Sequence, residues 1–209
     1  MKAISLFDLT GNMLKPWAEE GYECHIFDNQ HKRGSHFKGG MYRHGYDLSQ
    51  LPIALLELLG DVAFVSCFPP CTDLSVSGAK HMKNKGLRAL QQAVGFFATS
   101  AEFCELSGAP YIIENPVSTM STYWRKPDHT FHPWQYADLE PNDNYTKKTC
   151  LWTGGGFVMP MGLEQPIGKP DDRIHKATPG PDRANFRSAT PMGFAKAVKS
   201  SNANTGDTP

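Results

Sequence analysis

The first two thirds of the chain alternate between short apolar runs of strand length and stretches with helical spacing. "AISLFDL" (Ala3 to Leu9) ends in a Thr-Gly turn and predicts a strand. A helix-like stretch follows around Leu14 to Glu20, where Pro16 is tolerable only in the first turn. "YECHIFD" (Tyr22 to Asp28) predicts a second strand that closes on an acid. "LPIALLELLG" reads as a compact apolar helix closed by Gly60. "DVAFVSC" (Asp61 to Cys67) is apolar on both faces and partly β-branched, as a buried parallel strand would be. Beyond it, apolar residues fall at Leu87, Leu90, Val94, Phe97, Ala101 and Cys104, which predicts a long amphipathic helix ending near Gly108. "APYIIEN" (Ala109 to Asn115) is a further strand, stopped by Pro116.

Strand, helix and strand in repetition imply an α/β class built on a mostly parallel sheet with right-handed crossovers. After Pro116 proline, glycine and aromatics dominate, and only "KKTCLWTGG" looks like a clean strand, so the C-terminal part is expected to be short and irregular. Residues 1–199 are expected to form one domain. Residues 200–209, "SSNANTGDTP", have no apolar anchor and are expected to form a disordered tail.

Composition narrows the class further. A length of 209 residues suits one domain with a substantial core. No segment approaches the roughly 18 unbroken apolar residues of a membrane helix. "MKAISLFDLTG" turns polar too early for a signal peptide, and five cysteines at irregular spacings speak against a disulfide framework, so a reducing cytoplasm is expected. The net charge is zero, but the charges are clustered. "HKRGSHFKGGMYRH" (His31 to His44) holds four Lys/Arg, three His and no acid. "AKHMKNKGLR" (Ala79 to Arg88) holds four more Lys/Arg without an acid, and Lys169 to Lys199 has seven basic residues against three acidic ones. Such patches suit either a polyanion or a solvated loop.

In open α/β sheets ligands bind beyond the carboxyl ends of the strands, and four distinctive residues fall at such ends. Asp28 lies 17 positions after Gly11, a spacing like that between glycine turn and ribose-binding acid in nucleoside-binding folds. "LTGN" supplies one glycine, enough for a nucleoside that lacks a pyrophosphate. Asp47 in "HGYDLS" is a candidate for an adenine amino group. Taken alone, each acid reads as a cap or surface carboxylate. Cys71, directly after Pro69 and Pro70, and Glu114 both follow apolar strands, so the fold would bring them to one rim. A thiol at such a junction is partly exposed, and donors of the following loop can favour its thiolate. Glu114 has no evident local ion-pair partner, so burial would favour its carrying a proton. Taken alone, the pair reads as a structural thiol and a capping acid. The C-x3-C spacing of Cys67 and Cys71 lacks the second ligand pair of a metal site.

Together these residues resemble a known set. "FPPCTDLSVSG" resembles the Pro-Cys motif of DNA (cytosine-5) methyltransferases and "IIENP" their Glu-Asn motif, in the same order and separation. "SLFDLTGNM" is similar to the family's methionine-cradling motif, and "YTKKTCLW" to its later basic strand motif, with Lys147 and Lys148 where arginines are usual. "FRSATPMGFAKAV" resembles its Arg-x-x-Thr motif through Arg187 and Thr190. More closely, the "NP…YWRKPD…KKTCLW" pattern is similar to that of short phage- and prophage-encoded members, and the likeness spans about Ser5 to Val198.

The resemblance implies a doubly wound, Rossmann-like fold that binds S-adenosyl-L-methionine through Phe7, Asp8, Gly11, Asp28, Asp47, Leu48 and Pro69. It implies DNA as the partner, with the target cytosine flipped out of the stack. Cys71, Glu114, Lys147 and Arg187 would then be catalytic. Cys71 would attack C6, and Glu114 would hold N3 and the exocyclic amine. Pro70, Asn115, Lys80, Lys83, Lys85 and Arg88 would contact substrate or phosphates. A bacterial host cytoplasm follows from the same likeness, with host mimicry and protection from restriction both open. Only 38 residues separate Lys148 from Arg187, too few for a large target-recognition domain, so short or relaxed sequence specificity is expected. The same chemistry on a free cytosine nucleotide, and a methylase relative that only binds DNA, are the alternatives.

Overall fold

The apolar runs meet in one eight-stranded sheet. The computed structural model describes residues 1–76, 82–180 and 182–203. Its strands are β1 (Lys2–Leu6), β2 (Glu23–Phe27), β3 (Gly34–Lys38), β4 (Met41–Gly45), β5 (Val62–Cys67), β6 (Tyr111–Pro116), β7 (His129–Phe131) and β8 (Thr149–Gly154). They lie in the order β3-β4-β2-β1-β5-β6-β8-β7. The run β4-β2-β1-β5-β6 is parallel, while β3 closes one edge and β8 with β7 the other in antiparallel pairing. Helices cover both faces, so the expected doubly wound α/β class holds. Helix α1 (Lys15–Glu19) carries Pro16 in its first turn, as the sequence requires. The other helices are α2 (Ile53–Leu56), α3 (Met82–Lys85), α4 (Leu87–Ser107), α5 (Met120–Tyr123), α6 (Arg173–Lys176), α7 (Arg183–Ser188) and α8 (Met192–Asn202).

Two apolar clusters hold this arrangement. On one face Phe97, Phe103 and Cys104 of α4 pack on Leu6, Val65 and Ile113. On the other, Trp17 of α1 and Phe194 of α8 pack with Ile26, Phe64 and Leu151. Each such side chain, fully buried, contributes about 1.5–3 kcal/mol. Helix α4 ends where Gly108 takes a left-handed φ of 63°. Because β1 leads to β2 on one side and is flanked by β5 on the other, the strand order reverses at the β1–β5 crevice.

Four expectations need correction. The basic run His31 to His44 is not a loop but the β3–β4 hairpin, turned by Gly39 and Gly40 at φ 64° and 77°. "LPIALLELLG" supplies a single α-helical turn, α2. The irregular C-terminal part contains β7 and α8. The expected tail begins in order: Asn202 is buried at the end of α8, its amide donating to the carbonyls of Val158 and Val198 at 2.9 Å each. Its Oδ1 accepts the Val158 N–H at 2.8 Å. Residues 204–209 of that expectation lie outside the described residues.

A buried hydrogen-bond chain crosses β2, β4 and β3. Glu23 Oε1 accepts from His25 Nε2 at 2.7 Å. His25 Nδ1 must therefore accept from His44 Nε2 at 3.0 Å, and His44 Nδ1 from the Ser35 hydroxyl at 2.8 Å. Burial pushes His25 below its ordinary value and His44 down to about 4. Folding thus favours the neutral rings. The stability this supplies is complete above the unfolded pKa of about 6.5 and is lost as pH falls towards 4. Urea unfolding at graded pH checks this. The advantage of the native chain over His44→Gln should shrink by on the order of 3 kcal/mol between pH 7 and pH 4. A constant difference would contradict the assignment.

Candidate active site at the carboxyl rim of the sheet

Strand β5 ends at Cys67, and two prolines carry the chain from there to Cys71. Neither proline can donate to a sheet ladder, so the segment leaves the sheet and is fixed by other bonds. The Phe68 N–H donates to Leu6 O at 3.0 Å. The buried Asn115 amide donates to Pro69 O at 3.0 Å and to Glu114 O at 3.2 Å. Cys71 O accepts from the N–H groups of Leu74 and Ser75 at 3.1 and 2.8 Å, which tightens the next turn. The turn is then joined to the segment after β6: Val76 N–H donates to Val117 O at 3.1 Å and Thr119 N–H to Leu74 O at 2.9 Å. The two loops form one unit, with Cys71 half-buried on it.

Glu114 lies on β6, paired through the backbone with Leu151 of β8. It has no ion-pair partner near it in sequence, as expected, but the fold supplies a distant one. Lys147, just before β8, brings Nζ to 3.6 Å from Glu114 Oε1, and both side chains are largely buried. Even so, Oε1 makes no hydrogen bond among the described residues. The same holds for Arg187 Nε on α7, Asn115 Oδ1 and Ser118 Oγ, all buried. Each such group costs about 1–3 kcal/mol, so the rim holds polar capacity that the chain itself does not use. A small cavity of about 10 Å³, room for roughly one water, lies among Phe68, Glu114, Lys147, Thr149, Thr190 and Pro191. Its far wall is fixed by Asp143, which accepts the Gly193 N–H at 2.7 Å, and by Asn12, which donates to Thr190 O at 3.1 Å.

Cys71 is close enough to Glu114, Lys147 and Arg187 to feel all three charges. Burial raises its pKa most and the Glu114 carboxylate adds to this, whereas Lys147 and Arg187 pull it down. The resting group is a thiol. The expected gain of thiolate from the following loop is outweighed by desolvation.

On the other side of the crevice the expected cofactor residues divide. Phe7, the first residue past β1, takes a strained left-handed φ of 56°, and its ring packs edge-on against Phe96 at 5.4 Å. The Asp8 carboxylate is occupied by its own turn. It accepts from the Ser5 hydroxyl at 2.9 Å and from the N–H groups of Thr10 and Gly11 at 3.0 and 2.7 Å. Gly11 sits at φ 74°, where a Cβ would press on Met41 and Ile26 at 3.1 and 3.2 Å. Asp28 follows β2, nearly buried, with its pKa raised chiefly by burial, and Oδ1 accepts the Gln30 N–H at 2.8 Å. Asp47 is exposed, with Oδ1 accepting the Ser49 N–H at 2.9 Å. Leu48 is a core residue, and Pro69 is buried under the Cys71 loop.

Sequence reasoning missed a cleft of about 410 Å³ between Ser49 and α4, lined by Ser49, Arg88, Gln91, Gln92 and Gly95. The signal was a glycine and two glutamines on the polar side of an otherwise apolar helix. Arg88, expected to grip phosphates beside Cys71, belongs to this cleft and donates to Gln91 Oε1 at 2.8 Å. Lys85 is neutralised by Asp73, Lys83 is exposed, Pro70 is exposed, and Lys80 lies outside the described residues. Cys67 faces Cys104, with the sulfurs 3.7 Å apart, rather than Cys71. Among the described residues no helix is long and apolar enough to cross a membrane.

No family model matches the sequence, and no curated protein matches it. Among solved structures the chain is similar to a crystal structure of a candidate DNA modification methyltransferase encoded within a prophage of E. coli. The identity is 12%, the TM-score 0.45, and the match covers 74% of this chain. The chain spans a little under half, 46%, of that protein's length.

The charge balance is measurable, because the other four cysteines are buried. Iodoacetamide alkylation followed against pH should report Cys71 alone. Glu114→Gln should move the profile to lower pH and Lys147→Met to higher pH. Profiles unmoved in both variants would refute the coupling.

Proposed function

We propose that this chain methylates C5 of cytosine in DNA, with S-adenosyl-L-methionine as methyl donor, at short or loosely defined sequences. One observation carries the reading: Glu114, Lys147 and Arg187, from three separate segments, all act on the Cys71 thiol at one rim.

Cytosine C5 is a poor nucleophile until something adds to C6. In this reading Cys71 loses its proton to solvent as the base enters, and its thiolate forms a bond to C6. As the ring electrons shift towards N3, a Glu114 that has taken up a proton from solvent donates to N3 and accepts from the exocyclic amine. Lys147 and Arg187 offset the negative charge on the ring. When bound, S-adenosylmethionine supplies an electrophilic methyl group to C5. Loss of the C5 proton to solvent water and breakage of the C6–S bond then restore the aromatic ring and release the Cys71 thiolate. The small cavity beside Glu114 is far below base size, so entry of the base requires its walls to part.

The residues present fit the cofactor. The cleft beside Ser49 has the size of a small-molecule site, which runs about 300–1,000 Å³. Asp28 and Asp47 present carboxylates at neighbouring strand ends, suited to ribose hydroxyls and an adenine amine. Relaxed specificity is supported by the stretch between Lys148 and Arg187. It is tied to the body through Tyr145–Asp171 pairing and the Asn202 bonds to Val158, and does not form a separate reading domain.

Two experiments test this. DNA containing 5-fluorocytosine, with S-adenosylmethionine present, should give a denaturation-resistant adduct that Cys71→Ser abolishes. An adduct with the free nucleotide alone would move the substrate to the nucleotide pool. DNA retention without adduct, unchanged in Cys71→Ser, would leave a binding protein and refute the chemistry. Separately, a Cβ at Gly95 would meet no atom within 4 Å, so Gly95→Phe starts its side chain in open space on the cleft wall. It should weaken S-adenosylhomocysteine binding by at least about tenfold in calorimetry, with the thermal transition retained. Unchanged affinity would remove the cleft from the cofactor site.

A further inference from the structure

The β3–β4 hairpin has a composition that neither the core nor the proposed reaction uses. From Gln30 to Tyr46 there is no Asp or Glu. Lys32, Arg33 and Lys38 are exposed and form no ion pair among the described residues. The hairpin also displays two aromatic rings. Phe37 and Tyr42 are directly opposite across the strands, 64% and 40% exposed, with ring centroids 5.1 Å apart. Tyr42 is held from behind by a parallel stack on His25 at 4.9 Å, itself part of the buried histidine chain. An exposed aromatic pair on a rigid backing costs solvation and does nothing for the core.

Strand β3 is the outermost strand, so this surface is open along its length. It begins at the active-site rim. His31 Nε2 contacts Asp8 O at 3.0 Å, and Asn185 on α7, two residues before Arg187, donates to Gln30 Oε1 at 3.2 Å. From Gly34 to Lys38 the strand then runs on the order of 13 Å away from the rim, at about 3.3 Å per residue. Cations beside exposed ring faces suit a strand whose bases are unpaired. Phosphates meet the cations and bases stack on the rings, whereas in a duplex the base faces are already occupied.

We propose that the β3–β4 hairpin, at the far edge of the sheet from Glu114, holds single-stranded DNA several nucleotides from the target base, with Phe37 and Tyr42 as a stacking platform and Lys32, Arg33 and Lys38 as phosphate contacts. This rests on the reading of the chain as a DNA methyltransferase, and it makes unpaired DNA the preferred substrate form. The hairpin then grips a strand without reading its sequence.

The test uses the whole chain and a fluorescein-labelled 15-nucleotide strand without cytosine, so that base capture by Cys71 plays no part. Anisotropy titrations should show Phe37→Ala weakening binding by about tenfold, because stacking is worth about 1–3 kcal/mol per base. Phe37→Leu, which keeps an apolar side chain, should lose nearly as much. The triple variant Lys32→Ala, Arg33→Ala and Lys38→Ala should lower the slope of log K against log salt by about 2, at roughly 0.7 per phosphate contact on single strands. All these side chains are exposed, and an unchanged thermal transition verifies folding. Affinity unchanged in every variant, or duplex bound as tightly as single strand with no effect of Phe37→Ala, would overturn the proposal. Hairpin-dependent strand binding in a chain that forms no Cys71 adduct would uphold this surface while refuting the methylation chemistry.

Discussion

One buried bond organises the site. The Asn115 amide donates to Pro69 O across the crevice between β5 and β6, and Asn115 is fully buried. Prolines at 69 and 70 remove the ladder hydrogen bonds that would otherwise hold this stretch of chain. The tether replaces them, and the pairing of Leu74 and Val76 with Val117 and Thr119 extends it. Breaking it would leave a buried carbonyl unsatisfied, a loss of about 1–3 kcal/mol. The residue directly after Glu114 thus sets where the Cys71 thiol can be. Sequence reasoning gave Asn115 a substrate role; the bond to Pro69 gives it a positioning one.

Around that tether the site is an electrostatic compromise. Burial and Glu114 keep Cys71 protonated, while Lys147 and Arg187 oppose them. Lys147 also lies against Glu114, so one cation serves two groups of opposite demand. Four buried polar atoms left without hydrogen bonds mark the rim as locally unfavourable. The aromatic and aliphatic clusters on both faces of the sheet offset that cost, as expected where strain and unsatisfied groups gather at a functional site. The small cavity beside Glu114 and the cleft beside Ser49 share no lining residue.

How much of this could be read from residues alone depended on the range of the interactions. Strands β1, β2, β5 and β6 and helix α4 were legible because apolar runs are bounded by Gly60, Gly108, Pro69 and Pro116, all local signals. The β3–β4 hairpin was not, because its basic residues obscure a period of two; Gly39-Gly40 was the available clue. Glu114 and Lys147 were each identified, but their pairing depends on β8 lying antiparallel beside β6, a choice of topology that spacing does not encode. Asp8 shows the opposite failure. A carboxylate followed two and three residues later by free N–H groups is a local turn motif, and that use prevailed over a ligand contact. The cleft along α4 was hidden because helical periodicity draws attention to the buried side of a helix.

The central claim is that Cys71 adds reversibly to C6 of a cytosine held by Glu114. Such addition makes C5 basic, so a tritium at C5 exchanges with solvent water whether or not methylation follows. Single-stranded DNA carrying 5-tritiated cytosine, incubated with the protein, is therefore the most direct probe. The account predicts tritium release that is abolished in Cys71→Ser and strongly reduced in Glu114→Gln. Retention of all tritium by the native protein, with DNA bound, would contradict it.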